Sequence, residues 1–378
     1  MPQGRLQSVM QQHNFAKVPE ANIQRSSFKR DHGYKTTFDV GDLVPVYVDE
    51  ALPGDTFNLK MHAFTRLATP IFPIMDNIFM ESFFFAVPIR LIWNNFQKMM
   101  GEQDDPGDSI DFTVPTISST FTANGDHGEG SLYDYMGLPT KVNGYTHSAL
   151  PTRAYHLIWN EWFRDENLQL SVQVDKDDGP DTALTYNSVL KRNKRFDYFT
   201  SCLPWPQKGT ALELPVDSTT VDVDYVNNNP TTSAMLVRTA TNGNLNTVSS
   251  DLHSDSSGVL DRSTDGTNLA IDPNGHLKVT IPSSIGGTIN ELRQAFQIQK
   301  LLERDARGGT RYTEIIRSHF GVTSPDSRLQ RPEYLGGGST YININPVAQT
   351  GETGTTPQGN LAAFGTGQLN NHGDRKST

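Results

Sequence analysis

Lys191-Arg192-Asn193-Lys194-Arg195-Phe196, followed by Tyr198, Phe199 and Trp205, is the densest run of cations and aromatics in the body of this sequence. Cations packed this tightly repel one another unless anions lie close by. Guanidinium and ammonium groups neutralise phosphates and open rings stack on bases, so the run suits a nucleic acid. It suits equally well a set of salt bridges to acids across a subunit interface. A second group of the same kind lies at the N-terminus, where Arg5, Lys17, Arg25, Lys29, Arg30 and Lys35 are interspersed with Phe15, Phe28 and Tyr34. There the alternatives are an arm that grips flexible single strands and an arm that ties neighbouring subunits together.

Other chemistry is poorly served. The sequence has no Gly-x-Ser-x-Gly elbow, His-Glu-x-x-His, Cys-x-x-Cys or Gly-x-x-x-x-Gly-Lys-Ser/Thr loop. Gly125, Gly128 and Gly130 neither follow a strand nor open a helix in dinucleotide-binding register. Asp104, Asp105, Asp108 and Asp111 read as a solvated acidic surface rather than a cation site. Asp175, Asp177, Asp178 and Asp181 fail as a calcium loop, because Pro180 and Tyr186 stand where glycine and a bidentate acid are needed; a solvated turn is expected. His156 has no second ligand at metal spacing and reads as structural. No catalytic residue, metal site or cofactor is assigned. Two suitably placed carboxylates suffice for a glycoside hydrolase, so a β-rich carbohydrate-binding or glycoside-hydrolase-like protein is the alternative.

The elements that must position these groups are mainly strands. Phe38, Val40, Val44, Val46 and Val48 alternate as in a half-buried strand, and Phe57, Leu59, Met61 and Ala63 repeat the pattern after the turn Leu52-Pro53-Gly54-Asp55. Ile78 to Ile89 is nearly all apolar and reads as a strand covered on both faces. Helices are expected at Leu91–Met100, at Pro151–Asn167 with Thr152 as N-cap, and at Thr288–Arg307 with a Thr288/Glu291 capping box. A short helix is expected at Tyr312–Phe320 and a short strand at Thr340–Ile344.

Composition narrows the class. The chain of 378 residues carries a net charge of −10, 31 glycines, 22 prolines and one cysteine, Cys202. Glycine and proline at this level call for many turns and long loops. Residues 1–36 have a net charge of +4, so the remaining 342 carry −14. An acidic body with a basic arm suits a shell whose inner face meets phosphate. A lone cysteine forms no intrachain disulfide, and no run approaches the ~20 apolar residues of a membrane span.

Longer blocks carry a family resemblance. Phe38-Asp39-Val40-Gly41-Asp42-Leu43-Val44-Pro45, Thr65-Arg66-Leu67-Ala68-Thr69-Pro70, and Glu81-Ser82-Phe83-Phe84-Phe85-Ala86-Val87-Pro88 through Trp93-Asn94-Asn95-Phe96 form the first set. Asp134 to Pro139, Leu150 to Tyr155, Pro204 to Gly209 and Leu302 to Gly309 continue it in the same order. The chain resembles the major capsid proteins of the Microviridae, small icosahedral single-stranded DNA phages, in their gokushovirus branch. The resemblance implies a mainly β fold: a viral jelly roll, that is an eight-stranded antiparallel barrel or sandwich, with long loop and helical insertions. It also implies a homo-oligomeric T=1 shell around a circular single-stranded DNA genome, with other capsid or internal scaffolding proteins as partners. The virion is then the site of the protein, assembled in the host bacterial cytoplasm without membrane insertion.

Four regions follow: a basic arm at 1–36, the first part of the core at 37–209, a polar insertion at 210–287, and a return to the core at 288–378. The insertion has nine acids against three cations and is too polar to fill a core. In the resembled family an insertion at this place rises as a spike towards a host receptor. The DNA-contact candidates are Arg5, Lys17, Arg25, Lys29, Arg30, Lys35, Lys191, Arg192, Lys194, Arg195 and Phe196. The end, Asn371 to Thr378, reads as a loop, and the family runs longer, so terminal strands are expected to be missing from a shortened chain.

Overall fold

The structure, a computed structural model, describes residues 24–68, 74, 76–121, 126–210, 288–325, 330–347 and 362–376, together with seven short strands inside 223–279. The alternating run from Phe38 to Val48 forms no strand. It lies extended along residues 190–192, with the Leu43 N–H donating to the Leu190 carbonyl (2.9 Å) and the Arg192 N–H donating to that of Gly41 (2.9 Å). Alternation yields a strand only where one row has a layer to face. Here Val40 is 75% exposed, and Phe38, Val46 and Val48 are exposed with it.

The next turn forms as expected: Gly54 has φ +84° and the Asp55 N–H donates to the Leu52 carbonyl at 3.0 Å. It leads into β1 (Thr56–Arg66), whose odd-numbered residues are half-buried while the even-numbered ones are exposed. β2 (Phe79–Ala86) is at least partly buried at every position. The expected helix Leu91–Met100 breaks in two, a 3-10 turn at Ile89–Leu91 and α1 (Phe96–Met99). The break has a local cause. The Asn94 N–H donates to the Lys176 carbonyl (2.9 Å) and the Asn95 amide to Asp178 (3.0 Å), bonds that compete with helix continuation.

β3 (Thr116–Ser118), α2 (Leu132–Tyr135) and β4 (Thr146–Ser148) follow, with β3 and β4 paired antiparallel. α3 (Leu150–Ile158) continues into a π turn over Trp159–Phe163. Thr152 is not its N-cap; Ala149 is, because Pro151 fits within the first turn and the helix starts earlier. The Thr152 hydroxyl instead donates to the Ala149 carbonyl at 2.8 Å. Ile117, Tyr133, Ala149, Ala183 and Tyr186 form one buried cluster, and Ile92, Trp93 and Leu150 a second.

Within the polar insertion lie β5 (Val223–Val226), β6 (Leu236–Thr239), β7 (Leu245–Thr247), β8 (Leu252–Ser254), β9 (Leu260–Arg262), β10 (Leu269–Ile271) and β11 (His276–Val279), which among the described residues pair only with one another. β5 joins β11, β6 lies between β10 and β7, and β8 joins β9, all antiparallel.

α4 (Ile289–Gly308) has the Thr288/Glu291 capping box read from the sequence and stops at Gly309, φ +89°. α5 (Tyr312–Phe320) ends at the left-handed Gly321, also as expected. The chain then forms β12 (Glu333–Tyr341), β13 (Asn343–Val347) and β14 (Ala362–Lys376). The single strand Thr340–Ile344 is thus two longer ones, and the final segment is a strand rather than a loop. β14 pairs with β1 along all eleven residues of β1, from Thr56↔Lys376 to Arg66↔Thr366. Local propensity is poor in so glycine-rich and polar a run, and the long-range ladder overrides it.

The sheet β1–β14–β13 packs on the sheet β2–β12. Glycine permits the close approach: a Cβ on Gly373 would come within 2.7 Å of the Phe84 ring, and one on Gly336 within 3.0 Å of the His372 carbonyl. The described chain is mainly β, in small antiparallel sheets, with few helices.

Candidate nucleic-acid and assembly surfaces

The cation run is held by acids of its own chain. Lys191 pairs with Asp42 at 3.2 Å, and Arg192 and Arg195 both pair with Glu81 of β2. Arg195 also donates to Ser339 of β12 (2.8 Å) and lies 3.9 Å over the Phe79 ring. Arg192 lies over Phe83 and Phe163. Burial and the neighbouring Arg195 push the Arg192 pKa below its ordinary value. Three of the four cations meet two carboxylates and Lys194 lies beside Asp197, so the cluster keeps a positive excess while clamping residues 38–48 and β2. Lys194 and Phe196 stand exposed, the latter at 70%, beside the exposed Tyr198 and Phe199.

Of the arm, Arg5 and Lys17 lie outside the described residues. Arg25 pairs with Asp55 (3.0 Å) and Arg30 with Asp49. Lys29 and Lys35 are exposed, and no ion pair holds either among the described residues.

The acids of residues 175–181 are not a solvated turn. Asp181 is buried and, with Asp177, clamps Arg153, which is 0% exposed. The Arg153 guanidinium donates from Nε to Asp181 (2.7 Å), from Nη1 to the carbonyls of Ile92 (3.0 Å) and Asp177 (2.9 Å), and from Nη2 to both carboxylates. All five N–H groups are thereby used. Burial opposes the charge, but the Asp181 carboxylate outweighs it and raises the Arg153 pKa. Asp178 accepts from Trp93 Nε1 at 2.6 Å, and Asp175 accepts from the Tyr186 hydroxyl at 3.0 Å. Sequence reasoning missed this network. Its signal was four acids in seven residues with no local cation among them except Lys176.

His156 is structural: buried, its Nδ1 meets the Gln173 carbonyl at 2.8 Å. His127 is fully buried, stacked on Tyr133, with its Nε2 3.1 Å from that of His147. Burial lowers the pKa of all three histidines. Asp108 accepts from the N–H groups of Asp104 and Asp105, which makes that acidic run a loop lock. Among the described residues no cluster of three or more metal-ligating side chains occurs, and no helix is long and apolar enough to cross a membrane.

A different surface is left open. Along α4, Ile289 is 70% and Phe296 63% exposed, and on α5 Tyr312 and Phe320 are exposed as well. These side chains form an apolar stripe that the described residues do not cover.

Residues 16–377 match the family model described as "Capsid protein (F protein)". The chain belongs to that family. Three relatives carry the name capsid protein VP1. That of Bdellovibrio phage phiMH2K is 46% identical over 96% of this chain and 68% of its own length. That of Chlamydia phage 1 is 39% identical over 96% and 70%, and that of Spiroplasma virus 4 is 33% identical over 95% and 68%. The resemblance drawn from the sequence blocks is therefore correct. The protein is a structural component of a phage virion that assembles with other copies into a capsid, and it is not an enzyme. The glycoside-hydrolase alternative is set aside on that ground.

Proposed function

We propose that this chain builds a T=1 icosahedral shell that encloses a circular single-stranded DNA genome, with scaffolding partners during assembly in the bacterial cytoplasm. The observation that carries the assembly mechanism is the uncovered apolar stripe of α4 and α5, which neighbouring copies bury in the closed shell. The two packed sheets are part of a jelly-roll barrel that serves as a rigid wedge. The chain divides into an arm at 1–36, a core split between 37–209 and 288–378, and an insertion at 210–287.

The arm and the Lys191–Arg195 cluster, with Phe196, face the genome. The exposure of Lys29, Lys35 and Lys194 and the excess of cations over acids at the cluster support that placement. Contacts of this kind are weakly sequence-selective and strongly salt-dependent. The insertion projects outward to a host receptor. Among the described residues its strands pair only among themselves, as expected of a separate projection.

Two deletions test these roles. Removal of residues 1–36 is expected to lower packaged DNA while shells still form; unchanged DNA content removes the arm from the proposal. Removal of residues 217–282 is expected to spare shells and abolish host attachment. Loss of assembly instead makes the insertion a structural part.

A further inference from the structure

Among the described residues, no ion pair holds Lys60 or Arg66 on the outer face of the β1–β14 pair. Lys60, His62, Phe64 and Arg66 occupy successive exposed positions of β1, about 7 Å apart along the strand. Their cross-strand partners on β14 are His372, Asn370, Gln368 and Thr366. These eight positions include two fixed cations, two histidines, two amides and an aromatic ring, and no carboxylate. The first acid in the register is Asp374, one row away, opposite Asn58. In a chain of net charge −10 such a face is unusual.

Three further features fit a ligand with both phosphates and rings. Phe64 is 68% exposed on a strand whose other face is packed, so its ring is offered to solvent by a rigid support. Asn370 Oδ1 accepts from His62 Nδ1 at 2.7 Å, which orients both groups and leaves the His62 Nε2 edge outward. Lys60, His62, Asn370, Asn371 and His372 line a shallow open depression of about 470 Å³, within the range of small-ligand sites. The cations of the 191–195 cluster, by contrast, are largely occupied by Asp42 and Glu81.

We infer that this sheet face is a binding platform for single-stranded nucleic acid, with Lys60 and Arg66 on phosphates and Phe64 stacked on a base. The inference rests on the proposal that the chain encloses a single-stranded genome, and it assigns a contact surface outside the arm and the cation cluster. Charge complementarity selects a polyanion, and the exposed ring between two cations selects one that carries bases.

The test is fluorescence anisotropy of the full chain with a labelled oligo-dT across a salt series, with inorganic polyphosphate as competitor. Phe64→Ala is expected to weaken oligo-dT binding about tenfold, to keep its salt dependence and to leave polyphosphate binding unchanged, whereas Phe64→Trp retains affinity. Lys60→Gln with Arg66→Gln is expected to lower the salt slope by about 1.4. All four substitutions are at exposed positions, and an unaltered thermal midpoint shows that the fold is kept. A wild-type chain that binds the oligonucleotide, with variants that bind it equally well, overturns the platform alone. Equal losses for oligo-dT and polyphosphate in Phe64→Ala overturn the stacking role. A wild-type chain that binds no single-stranded DNA overturns the genome-enclosing proposal itself.

Discussion

Around Arg153 all five guanidinium N–H groups find partners within one chain, whereas along α4 Ile289 and Phe296 stand 70% and 63% exposed. The first region closes on itself: Trp93, Tyr133 and Tyr186 are fully buried, and their polar atoms bond to Asp178, the Ala183 carbonyl and Asp175. The second has a well-formed helix, capped at its start and stopped by glycine at its end, yet it presents its apolar stripe to solvent. The difference separates what a single copy needs to fold from what it offers to other copies. A capsid subunit requires both.

The sharpest way to break this comparison is Arg153→Met. It leaves Asp181 buried without its partner, and loss of one member of a buried pair costs about 3–5 kcal/mol. Equilibrium denaturation checks this; a loss below about 1 kcal/mol removes the claim that the region is locked by this network.

Acid titration comes next. His127 and His156 are buried, His147 is half-buried, and all three hold lowered pKa values, so the unfolded chain takes up protons first as pH falls below about 6.5. Stability is therefore full above that pH and is lost as pH falls towards the folded-state values. The slope is at most about 1.4 kcal/mol per pH unit for each histidine. Unfolding free energies that stay flat between pH 7 and pH 5 contradict the buried, neutral assignment.

Thr288→Ala removes one half of the α4 capping box and is expected to cost about 1 kcal/mol. Loss of helical circular dichroism and a lower unfolding midpoint are the measurements. The smallest effect on a single chain is expected from Phe296→Ser. With the ring already 63% exposed, its removal changes the stability of the unassembled chain by less than about 0.5 kcal/mol. The same variant is expected to abolish shells in sedimentation velocity. A large loss of stability together with intact shells inverts the comparison.

Legibility followed how local the determining forces are. The α4 capping box, the α5 stop at Gly321 and the alternation of β1 depend on neighbours a few residues away, and each formed as its sequence indicates. Phe38–Val48 carries the same alternation as β1, but no described sheet lies beside it, so it stays extended and largely exposed. β14 reads as a loop because its partner β1 is some three hundred residues away, and nothing local announces the ladder. Arg153 lay inside a recognised block, yet its burial depends on the acids at Asp177 and Asp181. The cation run was correctly read as needing anions; Asp42 and Glu81 supply them from within the chain rather than from a neighbour.

Electron microscopy of purified particles formed by this chain, with their nucleic acid extracted and digested by a single-strand-specific nuclease, tests the central claim most directly. The account predicts uniform closed T=1 shells that hold nuclease-sensitive circular DNA. Open sheets, tubes or irregular aggregates, or closed shells without such DNA, would contradict it.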